Sequence, residues 1–461
     1  MDKWLGAALE YLPTWLDYQI ESTQQPGCLL AVVHRGEVVL ERAFGLANLA
    51  TSEPLTPRHR FRIASHSKSF TATGLMKLRE QGRLRLDDPV GRFVRGLDRR
   101  TGAVTVAQLL SHSGGLSRDG ADSGQFDGRR PFLDVDELFS DLASGPVIEP
   151  GLRLKYSNHG YALLGQAIAS VTGESYDTWI RREVVAAAGL NETTPDMPLP
   201  RGTPFARGHT AHLPVRRRLV VPGDYNEGAI TPAGGFVSTA ADTARFFNQL
   251  SPNARQSVLS PASRREMVRP HWRNPHASLE GHYGLGIQSG AVGGWAWFGH
   301  SGGLLGYISR TASLPDRDLT LSIFSNAADG WAGFWMDGAI NVLRTFAQNG
   351  PASRRVSDWT GRWWSAWGPL DLVPMGNKVL AGAPFVGNHP FLDASEIDVT
   401  GRDQARIVLA GGYGSHGEPV RRIRNEGGKV AEVWFAGSRF VPRARVVGEL
   451  TRRYGKDRRR R

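Results

Sequence analysis

Cysteine is nearly absent: Cys28 is the one thiol in 461 residues. An internal disulfide is therefore excluded, and the apolar run LLAVV after Cys28 reads as a buried, structural setting. Long apolar runs are missing too. No window approaches the roughly 18 apolar residues of a membrane helix, so no membrane span is expected. The first twenty residues carry Asp2, Glu10, Asp17 and an interrupting Pro13, unlike the basic start and unbroken apolar stretch of a secretory signal. A cytoplasmic protein is the expectation. Neither H-E-x-x-H nor a Cys/His ligand spacing occurs, nor a Walker-type glycine loop, so no metal and no cofactor is expected. Solenoid-type repeats are lacking.

Acidic residues are in short supply, with 44 Asp plus Glu against 56 Lys plus Arg and a formal charge of +12. The excess is not evenly spread. The last ten residues hold seven Lys or Arg and one Asp, which accounts for half of it. A terminal basic tail is normally solvated. No nucleic-acid partner is expected; the partner is a small molecule or short peptide, and homo-oligomerisation is left open.

What is present is a globular composition, 40% hydrophobic and 22% charged, with 55 glycines that favour turns over a helical bundle. Trp4, Ala8, Tyr11, Trp15 and Ile20 mark an amphipathic first helix. Two strands follow, joined at Arg35-Gly36. Residues 65–82 switch to helical spacing, with Phe70, Leu75 and Leu78 on one face and Gly82 at the stop. Further helices are predicted over 106–116, 159–190, 240–250 and 333–349. Strands are predicted around 282–289, 293–300 and 307–325, the last a hairpin turning at Pro315-Asp316-Arg317. This order argues for an α+β fold, one antiparallel sheet made from both ends of the segment and flanked by helices. Near residue 350 the texture becomes linker-like. Short alternating runs then recur about every 8–12 residues, the pattern of an all-β meander or barrel. The predicted domains are 1–350, a barrel-like 351–446 and a basic tail, 447–461.

Ser65-His66-Ser67-Lys68 places a hydroxyl and an amine at i and i+3, neighbours on a helix. A serine hydroxyl needs a base within reach. Burial lowers a lysine's pKa toward the useful range, and a helix N-terminus favours developing negative charge. Tyr156-Ser157-Asn158 follows a Pro-Gly turn and precedes a helix, so its polar side chains can face a cleft. A tyrosine beside a lysine can relay a proton, and the asparagine can donate to a substrate carbonyl. His300-Ser301-Gly302-Gly303 sits at a strand end, where glycine lets a substrate lie close.

Together and in this order, the three segments resemble the motifs of the serine β-lactamase-like and penicillin-binding-protein-like hydrolases. The likeness is strongest to their class C, esterase and D-aminopeptidase branch. VTVAQLLSHSGGL at 104–116 and AGGFVSTAADTARF at 233–246 resemble further segments of that family, and the resemblance covers about residues 20–345. It implies a β-lactamase/transpeptidase-like fold in which Ser65 is acylated and Lys68 and Tyr156 share the proton work, the base for each step being open. It also implies an oxyanion hole of Ser65 and Gly303 backbone N–H groups, Asn158 and Gly302 at the substrate, and His300 in the third motif. His159 and Ser301 are candidates to line the cleft; His66 and His112 are read as structural.

Many β-lactamases and cell-wall carboxypeptidases have Lys where this chain has His300. A largely neutral histidine suits carboxylate capture poorly, which favours a D-stereospecific aminopeptidase or amidase. Carboxylesterase, β-lactamase or DD-peptidase activity, and an inactive binding protein, are the alternatives. Beyond residue 350, Gly361-x-Trp363 and the short strands resemble lipocalin-like barrels. Its loops at 379–391 and 410–419 are expected to limit substrate size.

Overall fold

The hairpin at Arg35-Gly36 forms as strands Gly27–His34 and Glu37–Asn48. Both turn residues are left-handed, at φ 55° and 86°, as a tight two-residue turn requires. The computed structural model describes residues 2–213, 215–274, 281–385, 387–411 and 414–455. In it this hairpin opens a nine-stranded antiparallel sheet. From edge to edge the strands are Glu53–Pro54, Glu37–Asn48, Gly27–His34, Leu319–Ser325, Tyr307–Leu314, Trp295–Leu304, Gln288–Val292, Gly281–Tyr283 and Trp272–Asn274. The seam joins both ends of the segment, with Cys28 to His34 paired against Ser325 to Leu319. Both seam strands are buried throughout, and helix Ala240–Gln249 packs on them. The α+β expectation is borne out.

A helical layer completes this unit. Phe70 of helix Ser67–Glu80 stacks on Phe236 and Phe246 at centroid distances of 4.4 and 3.8 Å. Leu163, Leu164 and Ile168 of helix Asn158–Thr172 join the same core. Three expectations are corrected. The helix in 106–116 stops at Leu110, because His112 and Gly115 are left-handed, at φ 56° and 71°. The long helix over 159–190 breaks at the left-handed cap Gly173 and resumes as Tyr176–Ile180. The strand around 282–289 is two strands parted at Gly284-Leu285-Gly286, where the Gly286 carbonyl accepts a hydrogen bond from Ser69 Oγ at 2.7 Å. Helix Pro261–Val268, capped by Ser260, was not anticipated.

By contacts the chain divides into two units, Gln24–Met336 and Met1–Thr23 with Asp337–Arg461. Helix Lys3–Ser22 and residues 337–349 thus group with the strand-rich segment, unlike the linear division at 350. There, Tyr11 donates to Asp371 at 2.9 Å, and Arg362 holds the same carboxylate through two bonds of 2.7 and 2.8 Å. Eight antiparallel strands from Gly361–Ser365 to Ser438–Phe440 follow in chain order as a nearly closed barrel. Trp364 and Val441 exchange both backbone hydrogen bonds at 2.8 Å, bringing the ends together. Trp359 is a fully buried tryptophan of its core, 4.1 Å beneath the Arg422 guanidinium. Helix Arg443–Tyr454 takes in the start of the expected tail. Residues 456–461 of that tail, and Val386, Gly412 and Tyr413 of the two loops, lie outside the described residues. Among the described residues no helix is long and apolar enough to cross a membrane.

Candidate active site

Ser65 lies in a 3-10 turn, Ala64–His66, that feeds helix Ser67–Glu80. Ala64 is left-handed at φ 47°, a conformation that costs an alanine on the order of 1–3 kcal/mol and re-aims the residue after it. The turn is pinned from several sides. Ser67 Oγ donates to the Ala64 carbonyl at 2.6 Å and accepts from the Phe236 N–H at 3.0 Å. His66 Nδ1 donates to the Ile63 carbonyl, and its Nε2 accepts from Thr311 Oγ1, each at 3.0 Å. Ser65 is the half-buried residue in a run of buried neighbours.

Two groups meet its hydroxyl. Lys68 Nζ is 3.1 Å from Ser65 Oγ and 2.7 Å from the Ala233 carbonyl. Tyr156 donates to the same Oγ at 2.8 Å, and its ring lies 4.8 Å from Nζ. Lys68 is fully buried, and that burial pulls its pKa down to about 7 against the opposing carboxylates of Asp119 and Glu227. Burial pushes the Tyr156 phenol up. The pair is thus an amine able to take a proton near neutral pH and a phenol able to give one.

The third motif behaves differently from a cation-bearing strand. His300 is fully buried. Its Nδ1 donates to the Ser301 carbonyl at 2.7 Å and its Nε2 accepts from Tyr283 at 3.0 Å. Desolvation holds its pKa well below the usual range, so it is neutral. Tyr283 packs at a tilt against His112, with ring centroids 4.6 Å apart, and the His112 ring lies 4.0 Å from that of Tyr156. His300 therefore underpins the tyrosine layer and makes no hydrogen bond to Ser65. Gly302 is a packing requirement: a Cβ there would stand 2.2 Å from the Ile63 carbonyl oxygen and 2.4 Å from Ser309 Oγ. Its lack of a side chain lets the strand press against the turn that carries Ser65.

A cavity of about 350 Å³ opens at Ser65, and Asn158 and Gly303 line it with Ala64. Asn158 Nδ2 donates to Asp119 at 2.5 Å. Two expected cleft residues are elsewhere. Ser301 Oγ donates to Gln288, and buried His159 places Nε2 3.5 Å from Asp141. Three charged residues escaped the sequence reading. Arg118 lines the cavity and pairs through Nε with Asp119 at 3.0 Å. Glu227, fully buried, lines the same cavity. In Ser-Arg-Asp-Gly and Asn-Glu-Gly both acids look like turn residues, and only the fold brings them to Ser65.

Fold and site define a serine hydrolase. The chain belongs to the beta-lactamase family, whose model matches residues 12–336. It is 29% identical over 332 residues to penicillin-binding protein 4* of Bacillus subtilis (strain 168), covering 69% of this chain and 71% of that protein. A solved octameric penicillin-binding protein homologue from Pyrococcus abyssi matches 94% of this chain and 99% of its own, with a TM-score of 0.66 and 24% identity. The D-amino acid amidase from Ochrobactrum anthropi SV3 matches 73% of this chain and 99% of its own, with a TM-score of 0.60 and 26% identity.

Proposed function

We propose that the chain hydrolyses small amide, peptide or ester substrates through an acyl-enzyme on Ser65, with D-amino-acid amides and peptides with an amino-terminal D-residue as its favoured substrates. The observation that carries the mechanism is the convergence of Lys68 and Tyr156 on the half-buried Ser65 hydroxyl, at 3.1 and 2.8 Å. Lys68, held near neutrality by burial, takes the Ser65 proton as Oγ attacks the carbonyl carbon. Tyr156, a phenol at rest, passes a proton to the departing nitrogen or oxygen. The backbone N–H groups of Ser65 and Gly303 receive the oxyanion; such a donor is typically worth ~100-fold or more in rate. A water molecule then cleaves the acyl-enzyme, and the proton returns along the same groups. His300 acts through Tyr283 as a positioning residue.

The substrate class rests on charge. A buried, neutral His300 offers no cation to a substrate carboxylate, and Arg118 is already paired with Asp119. That weighs against β-lactam or C-terminal D-alanine recognition, while the likeness to a D-amino acid amidase supports the favoured subtype. Octamer formation by the Pyrococcus abyssi homologue makes homo-oligomerisation part of the proposal, to be checked by light scattering. Rates on D- and L-amino-acid p-nitroanilides, short p-nitrophenyl esters and nitrocefin test the substrate assignment. The D-anilides are expected to lead; turnover of nitrocefin or of simple esters alone would overturn it. Labelling by a fluorophosphonate, lost in Ser65→Ala, separates an enzyme from a protein that only binds.

A further inference from the structure

Glu227 is a buried carboxylate without a hydrogen-bond donor. Its side chain is fully buried and neither Oε1 nor Oε2 has a hydrogen-bond partner. Such a group normally accepts several hydrogen bonds, and a buried acceptor left empty calls for an explanation. The nearest cation, Arg62, is 3.6 Å from Oε1 and is engaged elsewhere. Its N–H groups go to Asp196 at 2.9 Å, to the Gly223 and Gly235 carbonyls at 2.9 and 3.0 Å, and to the Tyr225 carbonyl. Asp196 also accepts from Thr231 Oγ1 at 2.6 Å and from the Glu227 N–H at 2.7 Å. One guanidinium thus faces two carboxylates, and only Asp196 is satisfied by it.

The empty carboxylate belongs to the wall of the cavity that opens at Ser65. Gly234, from the same wall, packs directly against it: a Cβ at 234 would stand 2.5 Å from Glu227 Oε2. The other acid near the cavity is already occupied, since Asp119 accepts from Asn158 at 2.5 Å and pairs with Arg118 at 3.0 Å. Lys68 is committed to Ser65 and the Ala233 carbonyl. The site therefore holds an unmatched acceptor pair in the wall of the cavity that opens at Ser65. Burial pushes the Glu227 carboxyl up to about 8, a penalty on its charge that an arriving cation relieves.

We propose that Glu227 is a specificity-determining residue that receives the free ammonium group of the substrate, beside its scissile carbonyl. This rests on the amidase reading above and deepens it: blocked amines are rejected because they leave the buried carboxylate unmatched. The test compares kcat/KM of the full-length wild type and Glu227→Gln on D-alanine p-nitroanilide, its N-acetyl derivative and p-nitrophenyl butyrate, with thermal melts as the fold check. Wild type is expected to favour the free amine over the acetylated one by about 100-fold. In Glu227→Gln that preference should fall at least tenfold, chiefly through KM, with a smaller loss on the butyrate ester. Should the glutamine variant not fold, Glu227→Asp is expected to lower the preference in the same direction. Equal losses on all three substrates, or an unchanged preference, would overturn the anchor and leave the amidase reading standing. Wild type that cleaves neither anilide would remove the amidase reading and the anchor with it.

Discussion

Replacing Lys68 with methionine is expected to abolish turnover and, at neutral and acid pH, to stabilise the fold. The amine is fully buried, and burial holds its pKa down to about 7 against about 10.4 for a free lysine. Between those values the unfolded chain binds a proton that the native chain does not, so native stability rises with pH across that window. Below about 7 the whole penalty is present, about 5 kcal/mol at 1.36 kcal/mol per pH unit. Methionine removes it. The same change deprives the Ala233 carbonyl and Ser65 Oγ of partners at 2.7 and 3.1 Å, which costs about 1–3 kcal/mol. The net gain near pH 6 is therefore roughly 2–4 kcal/mol, and it should vanish or reverse near pH 10, where pH has almost reached the free lysine's pKa and little of the penalty is left. Urea denaturation of both proteins at pH 6, 8 and 10 measures it. A difference independent of pH, or one that grows in favour of methionine as pH rises, would refute the reasoning.

Activity should titrate with the same group. The acid limb of kcat/KM on an ester substrate is expected to rise through about pH 7, because only neutral Lys68 accepts the Ser65 proton; a limb near 4 or above 9 would assign the base elsewhere. Gly302→Ala should cut kcat/KM by about 10–100-fold, since its methyl would stand 2.2 Å from the Ile63 carbonyl oxygen and displace the turn that presents Ser65. Steady-state kinetics on a D-anilide checks this, and unchanged rates in a folded variant would contradict it.

The parts of the site readable in sequence were those fixed by local geometry or by motif order. Ser65 and Lys68 are one helical turn apart, so their meeting needs no knowledge of the fold. Tyr156 was legible from its place before a capped helix, which Ser157 opens by accepting from the Gly160 N–H at 2.9 Å. The role of His300 was not legible. Its complete burial and its hydrogen bond with Tyr283, supplied by another strand, come from the fold. Glu227 was invisible for the same reason, because the charged groups around it, Arg62 and Asp196, lie far away in sequence. Alternation exposed the barrel strands, as period-2 burial in Ser395–Gly401 and Gln404–Leu409 confirms. Alternation could not tell which tryptophan fills the barrel, since Trp359 precedes the first strand and is chosen by its contact with Arg422.

The central claim, an acyl-enzyme on Ser65, is tested most directly by rapid acid quench during turnover of a D-amino-acid p-nitroanilide, followed by peptide mass spectrometry. The expected result is a peptide containing Ser65 that carries the mass of the D-aminoacyl group, absent from Ser65→Ala and accumulating when deacylation is slow. An aminoacyl group on a different residue, or full turnover with none on Ser65, would contradict the account.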